Sequence, residues 1–252
     1  MAGQLQHQVA LVTGASRGLG RAIAQRFAAE GARVVVADLK EQWAQVASKE
    51  IEDGGGEAMA FGADLSSREA VAELIQTAAT RFGRIDIVVN NAMWNRYEPI
   101  DAIEQETLTR MLGIGFCAIV WTVQLVVPLM RAQGGGSIIN MASVAALRGM
   151  PNALLYCGIK AGVTGLTRAA AVELGPDRIR VNAIAPSTVS TEGVRAMLSQ
   201  ETLVSRAERT PLRRIGEVGD MTSAAVFLAS KESAFITGQV LTVDGGLTCL
   251  AV

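Results

Sequence analysis

Apolar residues recur along this chain at two different spacings. Short runs rich in β-branched residues predict strands at 8–13, 33–37, 58–62, 85–90, 137–142, 179–184 and 239–243. The segments between them repeat apolar residues at helical spacing, as at Leu19, Ile23 and Phe27. This alternation predicts an α/β fold, a doubly wound, seven-stranded parallel sheet with helices on both faces. Because no repeat, low-complexity tract or linker divides the chain, we expect a single domain over residues 1–252.

One apolar stretch, 111–130, is long enough to cross a membrane. Only Thr122 and Gln124 within it carry polar side chains, and Arg110 and Arg131 flank it. Since it lies between two strands predicted to be neighbours in one parallel sheet, crossing a bilayer would divide that sheet. We therefore expect no membrane partner but a buried helix, with one face on the sheet and the other on a partner subunit.

The charge balance points away from nucleic acid. Lys and Arg number 23 and Asp and Glu 24, so the formal net charge is −1, and a small-molecule partner is expected. The cysteines Cys117, Cys157 and Cys249 fit no metal-ligand spacing and leave an odd thiol in any disulfide scheme. Residues 1–7 lack the charged-then-apolar layout of a secretory signal. These features predict a cytoplasmic protein without a metal site.

A glycine-rich loop follows the first predicted strand and opens a helix. Its sequence at 13–20 is TGASRGLG. Glycines here let the backbone approach a pyrophosphate, whose charge the helix N-terminus stabilises. Asp38 follows the second strand, where a carboxylate accepts hydrogen bonds from the ribose hydroxyls of an adenosine. The alternative for Asp38 is a helix cap.

Tyr156 and Lys160 are one helical turn apart, so the ammonium is placed near the phenol oxygen. A free tyrosine has a pKa near ~10, and a nearby cation favours the phenolate. Ser143, just past the fifth strand, is placed to hold a substrate carbonyl beside the tyrosine. Taken alone, the tyrosine–lysine spacing is also typical of a surface helix, and Ser143 of a turn or cap.

A series of motifs resembles the classical short-chain dehydrogenases/reductases over essentially the full chain. In chain order they are Thr13-Gly14-x-x-x-Gly18-x-Gly20, Asp64-Leu65, Asn90-Asn91-Ala92, Ser143, Tyr156-x-x-x-Lys160, Asn182-Ala183-x-Ala185-Pro186 and Asp244-Gly245-Gly246. The resemblance implies a Rossmann-type domain assembled as a homotetramer. It also implies hydride transfer between a nicotinamide cofactor and a carbonyl carbon, which makes the chain an NAD(P)-dependent oxidoreductase that interconverts a ketone and a secondary alcohol.

The resemblance also assigns roles to residues. Tyr156 would be the general acid or base, Ser143 would orient the substrate, and Lys160 would hold the nicotinamide ribose while lowering the tyrosine pKa. The implied cofactor-binding residues are Gly14, Ser16, Arg17, Gly18, Leu19, Gly20, Asp38, Asp64, Leu65, Asn90, Asn91, Ala92, Tyr156, Lys160, Pro186, Val189 and Thr191. Asp64 would contact adenine. Asn90 would lie along the cofactor, with Thr191 near the carboxamide or phosphate.

Three positions depart from the family pattern. Met93 and Ser187 each replace a common glycine, and Gly115 stands where the catalytic asparagine is expected. In the family this asparagine accompanies a helix irregularity whose freed carbonyl holds a water next to the lysine. Since glycine tolerates distorted backbone, we expect the irregularity and relay to persist, and Gly115→Asn to change turnover less than about tenfold.

Two charges compete over the choice of cofactor. Arg17 is placed to pair with the 2′-phosphate of NADP, and Asp38 would repel it. One like-charge pair at ~4 Å and an effective dielectric near ~20 costs about 4 kcal/mol, more than a flexible arginine recovers. NAD is therefore favoured over NADP.

The substrate pocket is expected to have an apolar wall and a mobile lid at 188–211. The candidates for the wall are Trp94, Leu147, Met150, Leu154 and Met197, which suit an apolar or aromatic carbonyl compound or serve only packing. Two other functions stay open. The Arg17 loop resembles that of the 3-ketoacyl carrier-protein reductases that use NADPH, against which Asp38 weighs. Gly115 leaves open a non-catalytic dinucleotide-binding module.

Overall fold

A computed structural model describes residues 3–250 of the protein. Seven parallel strands form its central sheet. The strands are β1 (Val9–Thr13), β2 (Arg33–Asp38), β3 (Glu57–Gly62), β4 (Ile87–Asn90), β5 (Gly136–Met141), β6 (Ile179–Pro186) and β7 (Val240–Val243). Each predicted strand is present, with its ends displaced by no more than about two residues, the usual uncertainty of such boundaries. The two residues at each end of the predicted 1–252 domain lie outside the described residues.

Helices cover both faces of the sheet. They are α1 (Gly18–Ala29), α2 (Glu41–Asp53), α3 (Arg68–Phe82), α4 (Gln105–Leu112), α5 (Ala118–Ala132), α6 (Leu154–Leu174), α7 (Glu192–Met197), α8 (Gln200–Glu208) and α9 (Val218–Ala229). Alternate residues of a strand point to opposite faces. Ala10 and Val12 of β1 accordingly pack with α1, α2 and α9, and Val9 and Leu11 pack with α3, α5 and α6. This is the doubly wound Rossmann-type fold that the sequence predicts.

The strands are ordered β3-β2-β1-β4-β5-β6-β7 across the sheet. Successive strands of the chain are added on one side of β1 up to β3 and on its other side from β4 onward, so the order reverses between β1 and β4. Ligands of open α/β sheets bind beyond the carboxyl ends of the strands at such a reversal. Here the loops that follow β1 and β4 are tied together, since the Asn91 side-chain amide donates to the carbonyl oxygens of Thr13 and Gly14 at 2.9 and 3.1 Å. The fold therefore places the glycine-rich loop beside the Asn90–Ala92 motif.

The apolar stretch 111–130 forms the end of α4, a connecting turn and most of α5. Its Met111, Val126 and Met130 are fully buried, and α5 packs on α3 and the sheet. Counted together with the turn that joins them, α4 and α5 (Gln105–Ala132) are long and apolar enough to cross a membrane by length and composition, and 33% of the most apolar 18 residues is buried within this chain. The expected contact with the sheet is confirmed, and a partner subunit on the other face stays a prediction.

Candidate active site

Ser143 and Tyr156 come from neighbouring elements at the carboxyl end of β5. Ser143 precedes a short helical turn, Val144–Ala146, and its hydroxyl oxygen accepts from the Ala145 N–H at 3.1 Å. Ser143 is therefore a helix cap, as one of the two interpretations has it. The same hydroxyl also interacts with the Tyr156 hydroxyl, so the cap does not exclude a role in the site. Burial raises the pKa of the Tyr156 hydroxyl above its usual value, and the Ser143 hydroxyl opposes that shift.

Lys160 lies one turn further along α6 and is only 5% exposed. Its ammonium donates to the carbonyl oxygen of Met141 at 2.5 Å and lies 5.8 Å from the centroid of the Tyr156 ring. Burial lowers the pKa of Lys160 to about 8. The pKa of Tyr156 in the structure is raised, with burial as the largest cause. That Lys160 lowers the pKa of Tyr156 stays a prediction.

The buried lysine gives a prediction about stability. Below pH about 8 Lys160 is charged in both states, and the folded protein bears the full desolvation penalty. Between about 8 and the unfolded value of 10.5 the unfolded chain binds more protons, so the lysine's contribution to the free energy of unfolding rises with pH. Its slope is at most about 1.4 kcal/mol per pH unit. Lys160→Met lacks both the desolvation penalty and this rise. We therefore expect its free energy of unfolding to exceed that of wild type at about pH 7, by a margin that shrinks toward about pH 10.

Urea titrations of both proteins at the two pH values measure this difference. The matched control is Lys49→Met, which removes an exposed lysine paired with Asp53 at 3.0 Å. A pH dependence that is the same in Lys160→Met as in wild type would show that Lys160 is not a desolvated cation.

The glycine-rich loop has the conformation that close approach to a pyrophosphate needs. Gly14 adopts a φ of +61°, in the left-handed region that favours glycine. A Cβ at Gly20 would lie 2.3 Å from the Gly14 carbonyl oxygen. Arg17 immediately precedes α1 without a side-chain cap, so the first amides of that helix are open to an anion. The loop therefore fits a dinucleotide.

Asp38 lines a cavity of about 260 Å³, which we call the Asp38 cavity. One carboxylate oxygen accepts from the Ser16 amide at 3.1 Å and the Ser16 hydroxyl at 2.7 Å, and the other accepts from the Leu39 amide at 2.8 Å. Lys40 stands at the N-cap position of α2, and Asp38 accepts from Ser16 and Leu39 and not from an amide of α2, so the cap interpretation of Asp38 is wrong. The residues that line the cavity are Gly14, Arg17, Asp38, Leu39, Trp43, Ala63, Asp64, Leu65, Asn91, Ala92, Met93, Trp94, Arg110 and Ile114.

The aromatic side chains of the Asp38 cavity are covered by cations. The Arg17 guanidinium lies 5.4 Å and the Lys40 ammonium 4.6 Å from the centroid of Trp43. Arg110 lies 4.2 Å from that of Trp94. The sequence places Trp94 on the substrate wall, but the structure places it here, because the loop after β4 turns back toward α4. Trp43 and Arg110 are not found by sequence reasoning, since each belongs to a helix that carries no motif.

A second cavity of about 500 Å³, the Tyr156 cavity, contains the predicted catalytic residues. Its lining residues are Leu19, Asn91, Met93, Asn95, Tyr97, Met141, Ala142, Ser143, Val144, Met150, Pro151, Tyr156, Lys160, Pro186, Ser187, Thr188, Val189, Thr191, Val194, Met197, Leu198 and Arg206. Seven of them fall within the predicted lid, 188–211. The cavity thus brings the serine, tyrosine and lysine together with the loop after β6.

Some predicted residues lie elsewhere. Met150 and Met197 line the Tyr156 cavity as expected, but Leu147 and Leu154 do not, and they are 55% and 52% exposed. Asn90 lines neither cavity, because its buried amide donates to the Asn140 side chain at 2.9 Å. Its expected place along the cofactor therefore has no support in these contacts.

Tyr97 is a cavity residue that sequence reasoning misses. Its ring centroid lies 5.6 Å from that of Tyr156, edge to face, and burial raises the pKa of Tyr97 to about 12. A signal was available, because the chain has only two tyrosines and Tyr97 follows the Asn90–Ala92 motif at the carboxyl edge of the sheet.

Gly115 lies in a π-helical turn, Gly113–Cys117, between α4 and α5. The expected helix irregularity is confirmed. A Cβ on Gly115 would meet the Met93 sulfur at 2.6 Å and the Ile159 Cγ2 at 3.0 Å. Met93 therefore occupies the space that a side chain at position 115 would need. We therefore expect the two departures from the family pattern, Met93 and Gly115, to compensate for one another.

Comparison with known proteins relates this geometry to an activity. The family model described as "Enoyl-(Acyl carrier protein) reductase" matches residues 14–248. A probable galactose dehydrogenase of Rhizobium meliloti is 36% identical, with 96% of each chain covered. A 3-oxoacyl-[acyl-carrier-protein] reductase of Thermotoga maritima is 34% identical over 97% of this chain and 99% of the relative. A solved 7α-hydroxysteroid dehydrogenase, complexed with NADH and 7-oxo glycochenodeoxycholic acid, is 35% identical with a TM-score of 0.93, covering 96% of this chain and 95% of that one.

Proposed function

This chain belongs to the classical short-chain dehydrogenase/reductase family of NAD(P)-dependent oxidoreductases that act on CH–OH and C=O groups, and from that premise we propose its mechanism. It interconverts a ketone and a secondary alcohol, with Tyr156 as general acid or base. The observation that carries the proposal is the meeting of Ser143, Tyr156 and Lys160 in one cavity that the glycine-rich loop and the loop after β6 border.

Each of the three side chains has a chemical task. The Tyr156 hydroxyl donates its proton to the substrate oxygen during reduction and takes it back during oxidation. The Ser143 hydroxyl donates a hydrogen bond to the same oxygen and stabilises the negative charge that develops there. The Lys160 ammonium is available to the nicotinamide ribose. When bound, the nicotinamide supplies or accepts the hydride.

Protonation favours one direction at neutral pH. Since burial raises the pKa of Tyr156, the phenol is protonated near pH ~7, which is the form that reduction requires. Oxidation of an alcohol requires the phenolate and is expected to accelerate as the pH rises. A panel of ketones and secondary alcohols, assayed with NAD(H) and NADP(H) by the absorbance of the reduced nicotinamide, tests the reaction class.

We favour NAD as the cofactor. Asp38 is held by three hydrogen bonds, its charge opposes a 2′-phosphate, and its remaining acceptor site accepts a ribose hydroxyl. Arg17 and Lys40 provide positive charge beside Trp43, which is the argument for NADP. The fixed carboxylate outweighs them, because the arginine side chain has to give up its contact with the indole and lose rotamer freedom to meet a phosphate.

Asp38→Ser is expected to lower kcat/KM with NAD and raise it with NADP, because the charge that repels the 2′-phosphate is lost while the positive charge of Arg17 remains. Steady-state kinetics with both cofactors measure the change. In the double variant Arg17→Ala/Asp38→Ser most of the gain with NADP is expected to disappear, because Lys40 is then the one cation left beside Trp43 among the described residues. A wild-type preference for NADP would show that the cations decide the selection.

A second candidate, reduction of 3-oxoacyl thioesters, is favoured by the similarity to the Thermotoga maritima reductase. An acetoacetyl thioester in the ketone panel tests it directly. A non-catalytic dinucleotide-binding module is the third alternative, and turnover of any substrate excludes it. The homotetramer and the cytoplasmic location stay predictions.

A further inference from the structure

The Tyr156 cavity has positively charged side chains and no acidic one among its described lining residues. Lys160 and Arg206 are its two cations. Lys160 is buried and donates to the Met141 carbonyl oxygen, so it belongs to the catalytic machinery. Arg206 is the charged group that the proposed reaction leaves without a task.

Arg206 is held against the cavity wall. It lies on α8 and is half-buried, and its Nη1 donates to the Thr188 hydroxyl at 2.8 Å. Between residues 3 and 250 no carboxylate lies within ion-pair distance of it, and its other guanidinium N–H groups make no hydrogen bond to the described residues. A fixed guanidinium with free donors is suited to a planar oxyanion.

The other lid arginines differ from Arg206. Arg195 donates to the Ser190 hydroxyl at 2.7 Å in an exposed position, and Arg209 is exposed; neither lines the Tyr156 cavity. A solvated lid arginine would resemble these two. Arg206 also acts on the cavity, because its charge lowers the pKa of Tyr97 against the larger effect of burial. Its field therefore reaches the ring that lies against Tyr156.

We propose that Arg206 recognises an oxyanionic group on the substrate, in the simplest case a carboxylate, while the carbonyl lies at Ser143 and Tyr156. This inference rests on the proposed function and names the substrate class as an oxo acid or its hydroxy acid. Met150 and Met197 line the same cavity and suit an apolar part between the two polar ends. The expected substrate is thus still the apolar carbonyl compound that the sequence predicts, with an anionic group added at one end.

Three ketones that differ in one group test the proposal: an oxo acid, its carboxamide, and the corresponding phosphate ester. Wild type is expected to use at least one of the two anions with a kcat/KM at least about tenfold above the amide. Arg206→Met is expected to abolish that preference, chiefly through KM, and Arg206→Lys to retain part of it. The comparison of the two anions shows whether a carboxylate or a phosphate is recognised. Arg195→Met is the control on the same lid.

A binding experiment separates this proposal from the proposed reaction. Calorimetric titration of a saturated, carbonyl-free carboxylate into the enzyme with NADH is expected to show binding that Arg206→Met weakens at least about tenfold. Binding that disappears in Arg206→Met supports the anion site even if no ketone is reduced. Equal use of the acids and the amide by wild type, or a loss of NADH affinity in Arg206→Met, overturns it, since the arginine would then serve no substrate anion or would serve the cofactor.

Discussion

Tyr156→Phe is expected to lower turnover at least ~100-fold while leaving the fold and the affinity for the cofactor intact. The change removes only the oxygen that transfers the proton and keeps the ring that packs at 5.6 Å against Tyr97. Steady-state kinetics and NADH fluorescence titration measure the two quantities separately.

Tyr97→Phe is the matched control, because it removes the other tyrosine hydroxyl from the same cavity. It is expected to keep at least about one tenth of the wild-type turnover, since no proton passes through it. If Tyr156→Phe retains near-normal turnover, or if both variants lose activity equally, Tyr156 is not the proton-transfer group.

Gly115→Asn is expected to destabilise the protein by about 1–3 kcal/mol, because the new side chain needs the space that Met93 fills. From the sequence alone we expect this variant to change turnover less than about tenfold. The contact with Met93 adds an expected loss of stability. The thioether is flexible, and because Met93 lines both cavities we expect the displaced side chain to move into them.

Met93→Gly/Gly115→Asn is expected to regain most of the lost stability, since the glycine at 93 vacates the space that the asparagine enters. Urea unfolding of the wild type, both single variants and the double variant gives the coupling energy. Gly158→Asn is the control, because this exposed glycine of α6 has open space around it and the same substitution there meets nothing. Additive effects of the two changes would show that Met93 and Gly115 do not compensate for one another.

The fold was predictable because its determinants are local. Strand and helix periods alternate regularly, and each of the first six strands is followed by at least one helix that must pack back on the sheet. The positions of Ser143, Tyr156 and the glycine-rich loop follow from the same logic, since residues just beyond the carboxyl ends of parallel strands meet at one edge.

Residues whose place depends on the path of a loop were not predictable. Leu147 and Leu154 look like pocket residues by composition, but Leu147 is exposed at the end of the turn after β5 and Leu154 at the start of α6. Trp94 and Tyr97 are close in sequence yet line different cavities, because the irregular loop after β4 sends them to opposite sides. The pattern of apolar and polar residues does not encode such a path.

Contacts between distant segments were equally hidden. The sequence marks Met93 and Gly115 as separate departures from the family pattern, but only the fold brings the thioether against the π-helical turn. The task of Arg206 depends on the lid helix α8 lying over the cavity, a tertiary arrangement that no spacing in the lid indicates.

Transfer of deuterium from nicotinamide-deuterated NADH or NADPH to a ketone tests the central claim most directly. We expect wild type to place the label on the carbinol carbon of the product, detected by mass spectrometry, and Tyr156→Phe to do so at least ~100-fold more slowly. If neither deuterated cofactor labels any ketone, oxo acid or acetoacetyl thioester of the panel although the protein binds the cofactor, the chain is a dinucleotide-binding module, and the account of Tyr156 as its general acid is wrong.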